Sequence, residues 1–296
     1  MKLFSIRALG VASITLASVL AGDISASAGD HFHCEMFPHN NLSFPENTGN
    51  RVIGQPLFNK IVDRIEEVYT PIFLAQGRTF LVERRWKDPL VNAIAREKDR
   101  VSSIHMYGGL ARHPMITPDG FLMVACHEVG HHLGGAPFYS PKQWASSEGQ
   151  SDYFATLKCM KLVLADIDNV AVVSRMAVDP TARRYCASIY KDANEAAICI
   201  RSLMGGKALA TVLGSLGGAA KPDFMTPDRS QVDNTDVTHP AAQCRLDTYS
   251  AGALCSVDNK FDPKDARVGT CDNWGVHARG QRPHCWFNPK DPIERL

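Results

Sequence analysis

The chain has 296 residues, a formal net charge of +1 and 45% hydrophobic residues. That length and apolar content supply core enough for one or two domains and exclude a disordered chain. Near-neutral charge removes the electrostatic reason to expect nucleic acid or an acidic membrane surface as a partner.

The first segment reads apart from the rest. Lys2 and Arg7 form a basic start, residues 9–21 an apolar run, and Ala26-Ser27-Ala28 a small-residue cleavage site. The run is short for a bilayer span, so residues 1–28 are expected to be a secretory signal peptide. The expected location is exported, periplasmic or extracellular, with no integral membrane segment left after cleavage. All nine cysteines lie beyond this segment, and none forms C-x-x-C. That pattern favours cystines in an oxidising compartment over a cysteine-based zinc site. Cys126 is expected to be a buried free thiol, leaving eight cysteines for four disulfides, with near neighbours joined in the tail.

Residues 29–55 lack periodicity and read as an extended lead-in. His31, His33 and Cys34 could suggest a metal, but with no further ligand nearby the reading is a polar arm with Cys34 in a disulfide. Ile61, Ile65, Val68 and Ile72 have helical spacing, which predicts a helix over 58–73. Residues 79–86 read as a strand, and 89–98 are ambiguous. Val101, Ile104, Met106 and Leu110 predict a strand over 100–112 that contains Gly108-Gly109. Glycines inside a strand mark a bulge or a close approach by another backbone. An extended substrate peptide is one such backbone, because peptides add to exposed sheet edges. Met106, Tyr107, Gly108, Gly109 and Leu110 are therefore candidate substrate-binding residues.

Thr117-Pro118 starts a helix, with Thr117 as N-cap and Pro118 at the first helical position. The helix carries Phe121 to Leu133 and ends at Gly134-Gly135. It contains His127-Glu128-x-x-His131, an H-E-x-x-H motif. Residues four apart share a helix face, so two imidazoles can grip one Zn²⁺ while Glu128 acts as general base toward water. His132 faces elsewhere, as a surface or supporting residue. A second helix opens at Glu148 and runs past Leu157, Met160 and Leu164. Glu148 and Asp152 share its face. A catalytic zinc takes three protein ligands, and Glu148 fits as the third. Asp152 fits as the carboxylate that accepts the outer N–H of a ligating histidine.

H-E-x-x-H followed by E-x-x-S-D on a second helix resembles the gluzincin metallopeptidases. The similarity is to the compact branch of the CAAX prenyl endopeptidases, HtpX and the periplasmic assembly-quality proteases. Val91-Asn92-Ala93 with Tyr107-Gly108-Gly109 resembles that branch's N-A…G-G segment, whose edge strand receives substrate. Thr238-His239-Pro240 with Arg245-Leu246 resembles its T-H-P-x-x-x-x-R-[IL] signature. The resemblance implies ligands His127, His131 and Glu148, the base Glu128, a catalytic His239 near the metal, and Arg245 as a supporting cation. It covers roughly residues 56–165 and 235–250.

Further on, 166–178 and 195–216 read as helices, the second interrupted by Gly205-Gly206, and 221–238 as a loop over the cleft. No run after the signal segment reads as a transmembrane helix. The expected fold is α+β: a mainly helical minigluzincin-like core with a small antiparallel sheet whose edge strand precedes the H-E-x-x-H helix. Residues 29–250 would form the peptidase domain, with a helical insert over 166–234. Residues 251–296 would be a disulfide-braced cysteine-rich extension. The expected function is a zinc-dependent endopeptidase carrying one Zn²⁺ and acting on protein or peptide substrates. The alternative is a zinc-binding, non-catalytic chaperone or binding protein.

Overall fold

The computed structural model describes residues 32–49, 52–140, 143–256, 266, 268, 270–271 and 278–291. The expected signal peptide lies outside them, as do His31 and His277. Residues His31–Leu296 form one compact unit.

Helix α1 (Gln55–Ala75), with Pro56 in its first turn, buries Phe58, Ile61, Val62, Ile65, Tyr69 and Phe73; of the four residues whose spacing predicts it, Ile61 and Ile65 are buried and Val68 and Ile72 partly so. Gly77, at φ 69°, turns the chain out of the helix. Strand β2 (Thr79–Arg85) follows. The ambiguous stretch resolves into β3 (Ala93–Lys98), which hairpins into β4 (Val101–Tyr107) through Asp99-Arg100. Both turn residues have positive φ, 51° and 66°. Tight hairpins need that geometry to match strand twist. A short strand from the lead-in, β1 (His33–Glu35), completes a sheet ordered β1-β3-β4-β2.

The sheet corrects two expectations. It is mixed, because β2 runs parallel to β4 while β1–β3 and β3–β4 are antiparallel. And β4, the strand ahead of the metal helix, is interior: Met106 pairs Ala93 on one side and Arg84 on the other. Ile104, His105, Met106 and Tyr107 are buried in succession, the pattern of a strand covered on both faces.

After β4 the chain coils into α2 (Gly108–Ala111), α3 (Pro118–Leu133) and α4 (Glu148–Phe154). A π-helical turn (Ala155–Cys159) continues α4 into α5 (Met160–Val163). The helix expected over 166–178 is only α6 (Asn169–Val173), capped by Asp168 and ended at Ser174. Then come α7 (Pro180–Ile189), α8 (Ala193–Leu216) and α9 (Ala242–Leu254).

Helix α8 runs unbroken through Gly205-Gly206, where side chains would collide with the Asp119 backbone and the Tyr249 ring. Contrary to expectation, α8 is long and apolar enough to cross a membrane. Yet 67% of that window is buried, and it packs against α3 and α9 as a core helix does. Buried Arg201 on α8 holds Asp119 at the start of α3 at 2.6 Å. The loop over 221–238 is pinned to the tail: Val232 N donates to His284 O at 3.0 Å and Asp236 N to Trp286 O at 2.7 Å.

Four disulfides join Cys126–Cys159, Cys186–Cys199, Cys244–Cys285 and Cys255–Cys271, a number that suits an oxidising compartment. Their membership corrects the expectation. Cys126 is bridged because its face of α3 meets the π turn, and Cys34 is the free thiol. In the tail, Cys255–Cys271 joins near neighbours, whereas Cys244–Cys285 reaches back to α9. Cross-linking residues 33 apart, as Cys126–Cys159 does, stabilises by about 4 kcal/mol on chain-entropy grounds.

Candidate metal centre

The site is made by α3 and α4. Thr117 Oγ1 accepts from Gly120 N at 3.1 Å, fixing the register in which α3 begins. Every residue from Asp119 to Leu133 is buried, so the helix carries its polar groups through the core. Gly130, inside the motif, lets α4 come against α3, since a Cβ there would sit 2.9 Å from Ser151 Cα. That close approach brings the Glu148–Asp152 face over the two imidazoles.

The rings of His127 and His131 lie 4.6 Å apart and nearly perpendicular, at 88°. Each is oriented by its outer nitrogen. His127 Nδ1–H donates to Asp152 Oδ1 at 2.7 Å, and His131 Nδ1–H to the Ser146 carbonyl at 2.8 Å. A carboxylate and a carbonyl only accept here, so each ring turns its Nε2 toward the site. Both nitrogens point to Glu148: His127 Nε2 is 3.3 Å from its Oε2, and His131 Nε2 is 3.5 Å from its Oε1. Tyr139 OH donates to Oε1 at 2.5 Å.

All three residues are fully buried, yet His127 Nε2, His131 Nε2 and Glu148 Oε2 have no hydrogen-bond partner among the described residues. Each such orphan costs about 1–3 kcal/mol. Three converging on one point are explained by a cation, and His127, His131 and Glu148 together could hold a metal ion.

The acidic neighbours favour a proton on His127, one that a metal ion would displace. Burial opposes the charge of Glu148, but His127, His131 and His239 hold its carboxyl well below the usual range. Burial likewise opposes charge on His127, but Asp152 and Glu148 outweigh it and raise the imidazole to about 9. Burial pushes His131 down to about 3. Glu128 is fully buried with both carboxylate oxygens unpartnered. Burial, opposed by His127 and reinforced by Glu148, raises it to about 8.

Asp152 is the hub behind the imidazoles. Besides His127 it accepts from Arg245 Nε at 2.6 Å, Arg245 Nη2 at 2.8 Å and Tyr249 OH at 2.6 Å. Its charge survives burial because Arg245 and His127 face it. His239 stands at the rim, its Nε2 3.4 Å from Glu148 Oε2 and donating to the Glu35 carbonyl at 2.9 Å. His132 is buried, not at the surface. Its Nε2–H donates to Ser103 O at 3.2 Å, and its ring stacks on Trp144 at 4.6 Å.

The candidate substrate strand is not in a position to receive peptide. Met106, Gly108, Gly109 and Leu110 are buried, Tyr107 is 5% exposed, and both sides of β4 are already paired. The glycines do accommodate a close backbone, but it is the chain's own. A Cβ on Gly108 would be driven into the Trp86 carbonyl and one on Gly109 into that of Pro89. The sheet edge beside α3 belongs to β3, and β1 occupies it.

Sequence reasoning missed Tyr139 and Tyr249. Tyr139 sits in a loop with no periodic signal. Tyr249 was findable, four residues beyond Arg245 and so on the same helix face. Comparison with protein-family profiles, curated proteins and solved structures finds no match.

Proposed function

We propose that this protein is an exported zinc metallopeptidase of the gluzincin kind, hydrolysing peptide bonds. The observation that carries the reading is the trio of orphaned ligand atoms beside an unpartnered glutamate. Two ligands each about 2.1 Å from a tetrahedral ion lie about 3.4 Å apart. His127 Nε2 lies 3.3 Å from Glu148 Oε2, the oxygen without a hydrogen bond among the described residues, which fits that size. Two neutral imidazoles and one carboxylate are also the donor set of many catalytic zinc sites.

His127, His131 and Glu148 would hold the ion, which when bound supplies Lewis acidity and brings the pKa of water to about 7. Asp152 keeps His127 in the ligating tautomer, and the Ser146 carbonyl does the same for His131. Glu128 takes the proton of the attacking water and passes it to the leaving amine nitrogen, a general base turned general acid. His239 Nε2–H, already donating to a peptide carbonyl, is the donor for the oxygen that gains charge.

Metal analysis should find one zinc per chain, and a chelator should abolish cleavage of casein or a peptide mixture. Glu128→Gln should keep the metal while lowering turnover about 10²- to 10⁴-fold. Full activity in that variant sinks the assignment. Stoichiometric zinc with no cleavage would favour the non-catalytic binding protein.

A further inference from the structure

The segment between α3 and α4 reaches the metal centre twice. It folds back on itself: Phe138 bridges Ser146, Tyr139 N donates to Ala145 O at 3.1 Å, and Ser147 N donates to Pro137 O at 2.8 Å. Ser146 N donates to His131 O at 2.9 Å, which ties the segment to the end of α3. From this frame the Ser146 carbonyl meets His131 Nδ1, and the Tyr139 hydroxyl meets Glu148 Oε1 at 2.5 Å.

The Tyr139 ring is held as well as its backbone. Phe32 meets it edge-on at 5.3 Å, and it lies tilted at 32° to the His131 ring at 6.2 Å. A phenol facing an ionised carboxylate can only donate. A bond this short to a charged acceptor belongs to the strong class.

The two oxygens of Glu148 therefore differ. Oε1 is engaged by Tyr139. Oε2 has no hydrogen bond among the described residues, and around it stand His127 Nε2 at 3.3 Å, His239 Nε2 at 3.4 Å and Arg245 Nη2 at 3.5 Å. Without the hydroxyl, Oε1 would be a second orphan on a fully buried carboxylate, an arrangement that is costly to leave unmet. His131 Nε2 lies 3.5 Å away, but a histidine ligating through that atom has no proton to give. A bound cation is the partner to which a freed Oε1 would turn, since carboxylates ligate through one oxygen or two.

We infer that Tyr139 is a positioning residue that reserves Oε1, so that Glu148 offers the metal Oε2 alone. The inference rests on the zinc-peptidase reading, specifically on an ion at His127, His131 and Glu148. Two imidazoles and a single carboxylate oxygen leave a tetrahedral ion one position for water or substrate. A glutamate gripping through both oxygens would crowd that position.

The test uses the full chain loaded with Co²⁺ and read by visible absorption, because four-coordinate cobalt absorbs more strongly than five-coordinate cobalt. The unaltered protein should bind one cobalt and show the intense bands of a four-coordinate ion. Tyr139→Phe should bind cobalt and lose that intensity. Tyr249→Phe removes a hydroxyl from Asp152 and not from Glu148, so it should keep the bands. Weak bands in the unaltered protein overturn the inference and leave the metal site standing, and that measurement needs no variant to fold. Undiminished bands in Tyr139→Phe, or an equal loss in Tyr249→Phe, also overturn it. Loss of cobalt binding in Tyr139→Phe alone would mean that the tyrosine places the whole carboxylate and does not choose its oxygen. No cobalt bound by the unaltered protein overturns the zinc reading too.

Discussion

The helices that carry the candidate metal centre and the sheet beside them are assembled by different rules. In the helices, the groups that matter sit four residues apart on shared faces: His127 with His131, Glu148 with Asp152, Arg245 with Tyr249. In the sheet, what counts is which strand pairs with which. There the chain sets residue 34 against residue 95 and leaves β4 enclosed between two neighbours. Chemistry placed by local periodicity is robust to the rest of the fold, whereas access to that chemistry is set by distant pairing.

The largest effect that would break this contrast is at Asp152. Asp152→Ala leaves Arg245 as a buried unpaired cation and His127 without its tautomer lock. Chemical denaturation should show a loss of about 3–5 kcal/mol, and metal affinity should fall about 10- to 100-fold. A change confined to affinity would mean that the hub orients the ligand without holding the helices together.

Next comes the bridge from α3 to the π turn. Replacing Cys126 and Cys159 by alanine should cost about 2–4 kcal/mol while metal content stays stoichiometric, since the ligands are held by hydrogen bonds and not by the cystine. Loss of metal from that variant would make the disulfide part of the site.

Gly109→Ala bears on the sheet. With the Pro89 backbone in the way, it should lower stability by about 1–3 kcal/mol through overpacking and leave KM for peptides unchanged. A raised KM at undiminished stability would return this segment to substrate binding.

The smallest expected effect concerns Glu97 on β3. Burial opposes its charge, but His132, Arg78 and Ser102 contact it and lower it to about 2. A carboxylate depressed in the folded state stabilises above its unfolded value near 4.5, and that stabilisation is lost as pH falls from there toward about 2. Glu97→Gln should therefore be less stable at neutral pH by under about 1 kcal/mol, the pair being partly exposed. The two proteins should converge near pH 2 in thermal melts.

The same contrast explains what was legible. Helix α1, the Thr117 cap and the pairs His127–His131 and Glu148–Asp152 follow from spacing and capping chemistry within single elements, while the α+β class was the expectation that the resemblance carried. The mixed sheet, the interior position of β4 and the seat of Cys34 do not, because pairing across some sixty residues leaves no local trace. Gly108-Gly109 was read as lying inside a strand; the two residues open α2 instead, and the backbone close to them is the chain's own. The cystines failed for the same reason. Cys126 looked like a core thiol by its helix position, and only the path of the π turn gave it a partner.

One carboxylate, that of Asp152, joins three stretches of chain that synthesis delivers far apart: the imidazole at 127, its own helix, and the guanidinium and phenol at 245 and 249. Until residues 242–254 have docked, the carboxylate that orders the first imidazole lacks its own guanidinium and phenol partners. An ion held by His127, His131 and Glu148 would therefore be kept most tightly with residues 242–254 in place, which makes metal affinity a gauge of how well that helix has docked.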